Sequence, residues 1–264
     1  MEDDEMRYPE DYVNKIIQDD CLEVMRGMLD KSVDLIVADP PYNIGKDYGE
    51  YKDNLSIEDY YKWCYEWLTE CIRILKKTGS LFVMNYPEHL AYFKVFLDKH
   101  LEFVNWITWI RNDNQPYNKK RKFKKNHQDI LFYVVDKNIH CFNWRAVARK
   151  PIWDKDKRVK DLAGQPDTWD MTYVKGNSPE KTMVNNQLPI ELIGRIILST
   201  TNDNNIVLDP FLGSGTTAVS CKKLNRRFIG IEINPKYCEI ARKRVANVPE
   251  KLERWIKKNA KVFK

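Results

Sequence analysis

The chain has six cysteines, at 21, 64, 71, 141, 221 and 238, and none forms a Cys-x-x-Cys pair. Its four histidines, at 89, 100, 127 and 140, are not spaced as a zinc or di-metal set. No metal is expected, and the thiols read as reduced and mostly structural. No apolar run approaches the ~18–20 residues needed to cross a bilayer, so no membrane is expected as a partner. The first residues, MEDDEMRYPEDY, are acidic where a secretory leader is basic and then apolar. The expected setting is the cytoplasm, with association to the nucleoid in a prokaryote. Internal repeats and low-complexity tracts are missing, and no glycine-containing loop carries the lysine of a Walker motif.

What is present is a chain of 264 residues, 43% hydrophobic and 31% charged. That is enough for one large α/β domain, with or without an insertion, under a polar surface. The net charge of +6 is modest but uneven. Residues 119–125, KKRKFKK, hold six cations: Lys119, Lys120, Arg121, Lys122, Lys124 and Lys125. Such a block is either a solvated loop or a loop that contacts phosphates, and the block alone does not decide.

Along the chain, an apolar run at 15–17 precedes a helix-like stretch at 22–29. VDLIVA (33–38) reads as a buried strand. NIGKDYGEYKDNL is a loop. Ser56 with Asp59 makes a capping-box-like start to a helix over 57–77, stopped by Thr78-Gly79. SLFVMN (80–85) is a strand, 87–99 a helix, and 101–110 and 128–136 are strands. Residues 137–186 are irregular. From Leu188 order returns: a helix over 190–200, a strand over 204–210, a helix from Ser214, a strand at 226–234, and a helix with Pro235 near its first turn. Strands alternate with helices on both sides of an irregular middle, which calls for an open, mostly parallel sheet with helices on its faces.

Two strand ends carry chemistry. The first strand stops on Asp39-Pro40-Pro41-Tyr42, an acid, two conformationally restricted residues and an aromatic. The second stretch, NIVLDPFLGSGTTAV (205–219), is a strand, a glycine-containing loop and a helix start. Gly213 and Gly215 permit a tight turn and a close ligand approach. The next strand ends in GIEIN, placing Glu232 23 residues past Asp209, close to the ~20-residue offset at which an acid holds ribose hydroxyls. An acid beside the glycine loop suits a ligand with a cationic end better than a pyrophosphate. Together these features suggest S-adenosylmethionine.

DPPY with DPFLGSGTT and GIEIN, in this order, resembles the β group of DNA amino-methyltransferases over roughly residues 15–247. The resemblance implies an α/β fold: a circularly permuted Rossmann-like, S-adenosylmethionine-dependent methyltransferase sheet with an irregular central insertion. The whole of 1–264 is then one methyltransferase domain, with target recognition at 111–187. It places Asp39, Pro40, Pro41 and Tyr42 on the catalytic motif. Phe211, Gly213, Ser214, Gly215 and Thr216 fall on the cofactor loop, with Asn234 beside Glu232. Asp209 matches the acid near the methionine amine and Glu232 the ribose acid. Asp20 and Cys21 match an adenine-binding stretch. One departure stands out: the family's His-Pro-x-x-x-Pro before the cofactor strand is here Val184 to Pro189, with only the last proline kept.

The resemblance also answers why a core strand ends on DPPY. An exocyclic amine is a poor nucleophile because its lone pair is delocalised into the ring. Asp39 and the Pro40 carbonyl can accept its N–H bonds, and Tyr42 can stack on the base. The base must be flipped to reach them. No covalent intermediate is needed, so no cysteine nucleophile is required. The expected activity is transfer to adenine N6 of double-stranded DNA. Aspartate as the first motif residue favours adenine, and cytosine N4 is the alternative. A non-catalytic nucleic-acid-binding protein on the same scaffold ranks lower, as do RNA and protein-glutamine methylation. In this reading the cation block contacts phosphates. Arg111, Asn112, Asn114, Gln115 and Asn118 carry side chains suited to base edges. Trp63, Trp67, Trp106 and Trp109 read as core. Two partners follow from the family: a cognate restriction endonuclease acting separately, and a second copy in a homodimer.

Overall fold

The computed structural model describes residues 7–46, 53–111, 121, 123–148, 163–184 and 186–248. The described residues form eight strands and six α-helices. The first half runs β1 (Lys15–Ile17), α1 (Cys21–Arg26), β2 (Val33–Ala38), α2 (Ile57–Ile74), β3 (Leu75–Asn85), α3 (Pro87–Leu97), β4 (Glu102–Ile110) and β5 (His127–Val134). After a 3₁₀ turn at Trp144–Val147 come β6 (Thr168–Asp170), α4 (Ile190–Thr200), β7 (Ile206–Asp209), α5 (Thr216–Lys223), β8 (Arg227–Ile231) and α6 (Pro235–Ala246).

All strands join one sheet in the order β1-β8-β7-β2-β3-β5-β4-β6. The pairs from β1 through β3 are parallel, as is β4 with β6, while β5 lies antiparallel to β3 and β4. The period-2 pattern of the strands explains the three layers. Leu35 and Val37 face a core shared with Leu192, Ile196 and Ala218 of α4 and α5. Ile36 and Ala38 face the opposite core, with Trp67, Leu68, Phe93 and Met25 of α1 to α3. A strand buried on both faces is a near-continuous apolar run, as VDLIVA is.

From β7 the chain moves outward through α5 to β8. From β2 it moves the other way through α2 to β3. The order therefore reverses between β2 and β7, and a crevice opens there, outside their carboxyl ends. Starting the chain at β7 would turn this order into that of an unpermuted sheet, which is the permutation the sequence implies.

One expected boundary needed correction. The helix over 57–77 ends at Ile74, because Leu75 is captured by pairing with Val33. The β2–β3 register then jumps between Val33/Leu75 and Leu35/Ser80, so Lys76–Gly79 bulges inside a strand of 11 residues. Within 111–187, the strand expected at 128–136 is β5, an inner strand between β3 and β4, and β6 lies at the sheet edge.

Candidate active site

Ile36 of β2 lies in register with Leu208 of β7, so Asp39 and Asp209 leave the sheet on the same edge. Between them opens a cavity of about 370 Å³. Its walls include Asp39 to Tyr42, Asp20, Cys21, Asp209, Phe211, Gly213, Ser214, Thr216 and Glu232. Residues from the two ends of the sequence thus meet in one cleft. Two residues expected there do not line it. Gly215, with φ of +83°, packs so tightly that a Cβ would lie 2.7 Å from Ala241 Cβ, and its role is to seat α5 on α6. Asn234 caps α6 by accepting from the Lys236 and Tyr237 N–H groups, while its own N–H donates to Glu232 Oε1 at 2.8 Å.

The DPPY end is held by a hydrogen-bonded frame. The buried Tyr60 hydroxyl donates to the Pro41 carbonyl at 2.8 Å and accepts from Asn85 Nδ2 at 2.9 Å. The Tyr42 hydroxyl donates to Asp39 Oδ1 at 2.5 Å. Asp39 and Pro40 line the cleft, and among the described residues none donates to Asp39 Oδ2 or to the Pro40 carbonyl. Burial pushes the Asp39 carboxyl up to about 6, against the Tyr42 hydrogen bond and the charges of Lys46 and Arg111. The Tyr42 ring meets Tyr86 edge-on at 4.9 Å, which fixes it as an aromatic wall.

The glycine-loop end is acidic. Asp209 accepts from the Thr217 hydroxyl at 2.5 Å and the Phe211 N–H at 3.0 Å. No cation among the described residues pairs with it. Burial pushes it up to about 7, and the Asp39 and Glu232 charges push the same way. Such a carboxylate gains most from a cationic ligand. Glu232 accepts from the Gly213 N–H at 2.7 Å, and burial raises its pKa. Each of its oxygens keeps a lone pair beyond its backbone bond, a suitable acceptor for vicinal hydroxyls. Asp20 caps α1 by accepting from the Leu22 N–H at 2.8 Å, and Cys21 is buried at its first turn. Phe211 meets Trp63 edge-on at 5.8 Å. The residues present fit a nucleoside with a cationic tail.

Several lining residues were missed or read differently from the sequence. Trp63 and Trp109 contribute to the core but also line the cleft. Gln128 of β5 lines it too, and its Nε2 donates to the Tyr42 hydroxyl. The one signal for it was the polar start, His127-Gln128-Asp129, of a strand that is apolar from Ile130 on. Lys46 also lines the cleft. The loop bearing it is tied down by Asp53, which accepts from the Asn43, Ile44 and Lys46 N–H groups at 2.7, 3.0 and 3.1 Å. Val184, Asn186, Gln187 and Leu188, from the departing family motif, form part of the wall.

Of the cation block, Lys119, Lys120 and Lys122 lie outside the described residues, as do Asn112, Asn114, Gln115, Asn118 and Asn185. Arg121 is exposed. Lys125 sits 3.4 Å over the Tyr86 ring and 3.5 Å from Glu88 Oε2, at the rim of the aromatic wall. Arg111 lines the cleft, and its Nε is buried without a hydrogen-bond partner. No group of metal-binding side chains occurs among the described residues, and no described helix is long and apolar enough to cross a membrane.

Comparison with known proteins follows the same lines. A family model described as DNA methylase matches residues 33–243. The type II methyltransferase M.HpaI of Haemophilus parainfluenzae is 35% identical over 237 residues, 88% of this chain and 74% of that protein. The DNA adenine methyltransferase YhdJ of Escherichia coli (strain K12) is 33% identical over 245 residues, covering 87% of this chain and 82% of that one. Among solved structures, the crystal structure of an M1.HpyAVI–SAM complex aligns with a TM-score of 0.66 at 28% identity, over 88% of this chain and 98% of the other.

Proposed function

The chain belongs to the DNA methylase family, and from that premise we propose that it methylates N6 of an adenine flipped out of duplex DNA, using S-adenosylmethionine. The observation that carries this reading is the meeting of Asp39–Tyr42 with Asp209, the glycine loop and Glu232 in one cleft at the β2/β7 crevice.

When bound, S-adenosylmethionine supplies a methyl group on a sulfonium, an electrophile that needs no metal. The residues of the chain do the rest. Asp209 would hold the ammonium of the cofactor's amino-acid end. Glu232 would accept from its ribose hydroxyls, and Asp20 and Cys21 would border its adenine. Ser214 and Thr216 line the glycine-loop side of the cleft, and Phe211 with Trp63 supplies an apolar wall. On the substrate side, Asp39 Oδ2 and the Pro40 carbonyl accept the two N–H bonds of the target amine. This draws its nitrogen toward a tetrahedral geometry with the lone pair aimed at the methyl group. Tyr42 and Tyr86 form the aromatic face for the flipped base. The rate gain comes from positioning and from acceptors that act most strongly as positive charge develops on the amine.

Adenine is favoured by aspartate at the head of the motif and by the likeness to YhdJ, named as a DNA adenine methyltransferase. The segments 111–126 and 135–187 are proposed to read the DNA, with Arg121, Lys124 and Lys125 on phosphates and Arg111 nearest the flipped nucleotide. The type II naming of M.HpaI supports a restriction-modification setting, with a separately acting endonuclease, in a prokaryotic cytoplasm. A homodimer is proposed from the group the motif order resembles. The test is labelled-methyl transfer to mixed-sequence duplex DNA followed by nucleoside digestion and mass analysis. N6-methyladenine is expected; N4-methylcytosine would overturn the base assignment, and unlabelled DNA the function.

A further inference from the structure

Gln128 stands on β5 with only 7% of its surface exposed. A buried carboxamide is costly unless hydrogen-bonded. Its Nε2 donates to the Tyr42 hydroxyl and also faces Asp39 Oδ1 as a donor, at 3.5 Å the long limit of a hydrogen bond. The Tyr42 hydroxyl has one proton, and it goes to Asp39 Oδ1. An ionised carboxylate only accepts, so the direction of the chain is set: Gln128 donates to Tyr42, and Tyr42 donates to Asp39. The strand under it is rigid. Gln128 pairs across the sheet with Trp109, whose indole N–H donates to the Met171 carbonyl at 2.8 Å.

We propose, resting on the methyl-transfer reading above, that Gln128 is a positioning residue: acting through the Tyr42 hydroxyl, it keeps Asp39 an ionised acceptor for the target amine. A donor chain that ends on a carboxylate stabilises its charged form, and each link polarises the next. The chain opposes the burial that drives a proton onto Asp39. Other groups facing this pair are Lys46 and Arg111, which favour the carboxylate. Asp209 is coupled to Asp39 across the cleft. Tyr60 and Tyr86 lie beside Tyr42, and Lys125 lies over Tyr86. Without the chain, Asp39 takes up a proton at higher pH and becomes a donor, leaving the amine without its acceptor.

The test is the pH dependence of kcat/KM for DNA at saturating S-adenosylmethionine, which reports groups of the cofactor complex with Asp209 already paired, for wild type, Gln128→Met, Tyr42→Phe and the double variant. The acid limb is expected to move up by about one pH unit in Gln128→Met, and Gln128→Met is expected to add nothing in the Tyr42→Phe background. Gln128→Asn, whose shorter amide falls short of Tyr42, is expected to shift the limb the same way. A uniform fall in rate with the limb in place would mean a structural role only. A shift that persists in the Tyr42→Phe background would mean that Gln128 acts on Asp39 directly. Either outcome overturns the proposal. Titration of the Asp39 carboxyl by NMR in the ligand-free protein needs no methyl transfer, so it separates this inference from the proposed function. An Asp39 titration unchanged by Gln128→Met would refute the inference even if wild type methylates DNA.

Discussion

Two carboxyls line the cleft, Asp209 buried and Asp39 half-buried, and the residue scale is where their chemistry is tested. Asp209 is held up to about 7 by burial, so in the free protein it carries a proton through much of the acidic range. A cationic ligand favours the ionised form and must displace that proton. Cofactor affinity is therefore expected to be level above about pH 7 and to weaken by about tenfold per unit below it. Calorimetry from pH 5.5 to 8.5 checks this, and Asp209→Asn should flatten the profile while weakening binding. The same burial works against the ligand-free fold. A folded pKa above the unfolded one means that the contribution from Asp209 is favourable at low pH and is lost as pH rises toward about 7. At the other end of the cleft, Tyr60→Phe removes the donor that fixes the Pro41 carbonyl. Transfer is expected to slow by about tenfold or more with cofactor affinity unchanged, since a small misplacement of reacting groups is costly.

Elements were legible in the sequence where a strong period met a clear stop. β2 and α4 have the bounds expected, because VDLIVA ends on a proline pair and IELIGRIILST follows Pro189. The α2 end was not legible: Lys76 and Lys77 suit a helix, and only pairing with β2 draws Leu75 into a strand. Site residues at strand ends were legible for the same reason as the strands. Asp39, Asp209 and Glu232 stand where an apolar run stops on an acid. Gln128, Lys46 and Arg111 were not recognised as lining residues, because their place in the cleft depends on sheet order and on a loop tied by Asp53. Gly215 was placed in the cleft for the right freedom and the wrong use. Its φ and the nearness of Ala241 make it the joint between α5 and α6. Gly215→Ala is expected to destabilise the fold by about 1–3 kcal/mol, read as a lower urea midpoint at unchanged slope.

At the scale of the whole molecule, one sheet brings the proposed cofactor half and base half together at its switch point, and Lys125 of the cation block stands at the Tyr86 wall. Lys125 already touches both Glu88 and the Tyr86 wall, which joins the proposed phosphate contacts to the base pocket. Neutralising Arg121, Lys124 and Lys125 together is expected to lower the slope of log K against log salt by up to about 2.7, with cofactor binding unchanged. An unaltered slope would remove these residues from the DNA interface. The division of labour within the cleft is the central claim, and Asp39→Ala tests it most directly. Cofactor dissociation constant and single-turnover methyl transfer to DNA are measured on the same preparation. The account predicts wild-type-like cofactor binding with transfer reduced below detection. Transfer that survives the substitution would contradict it.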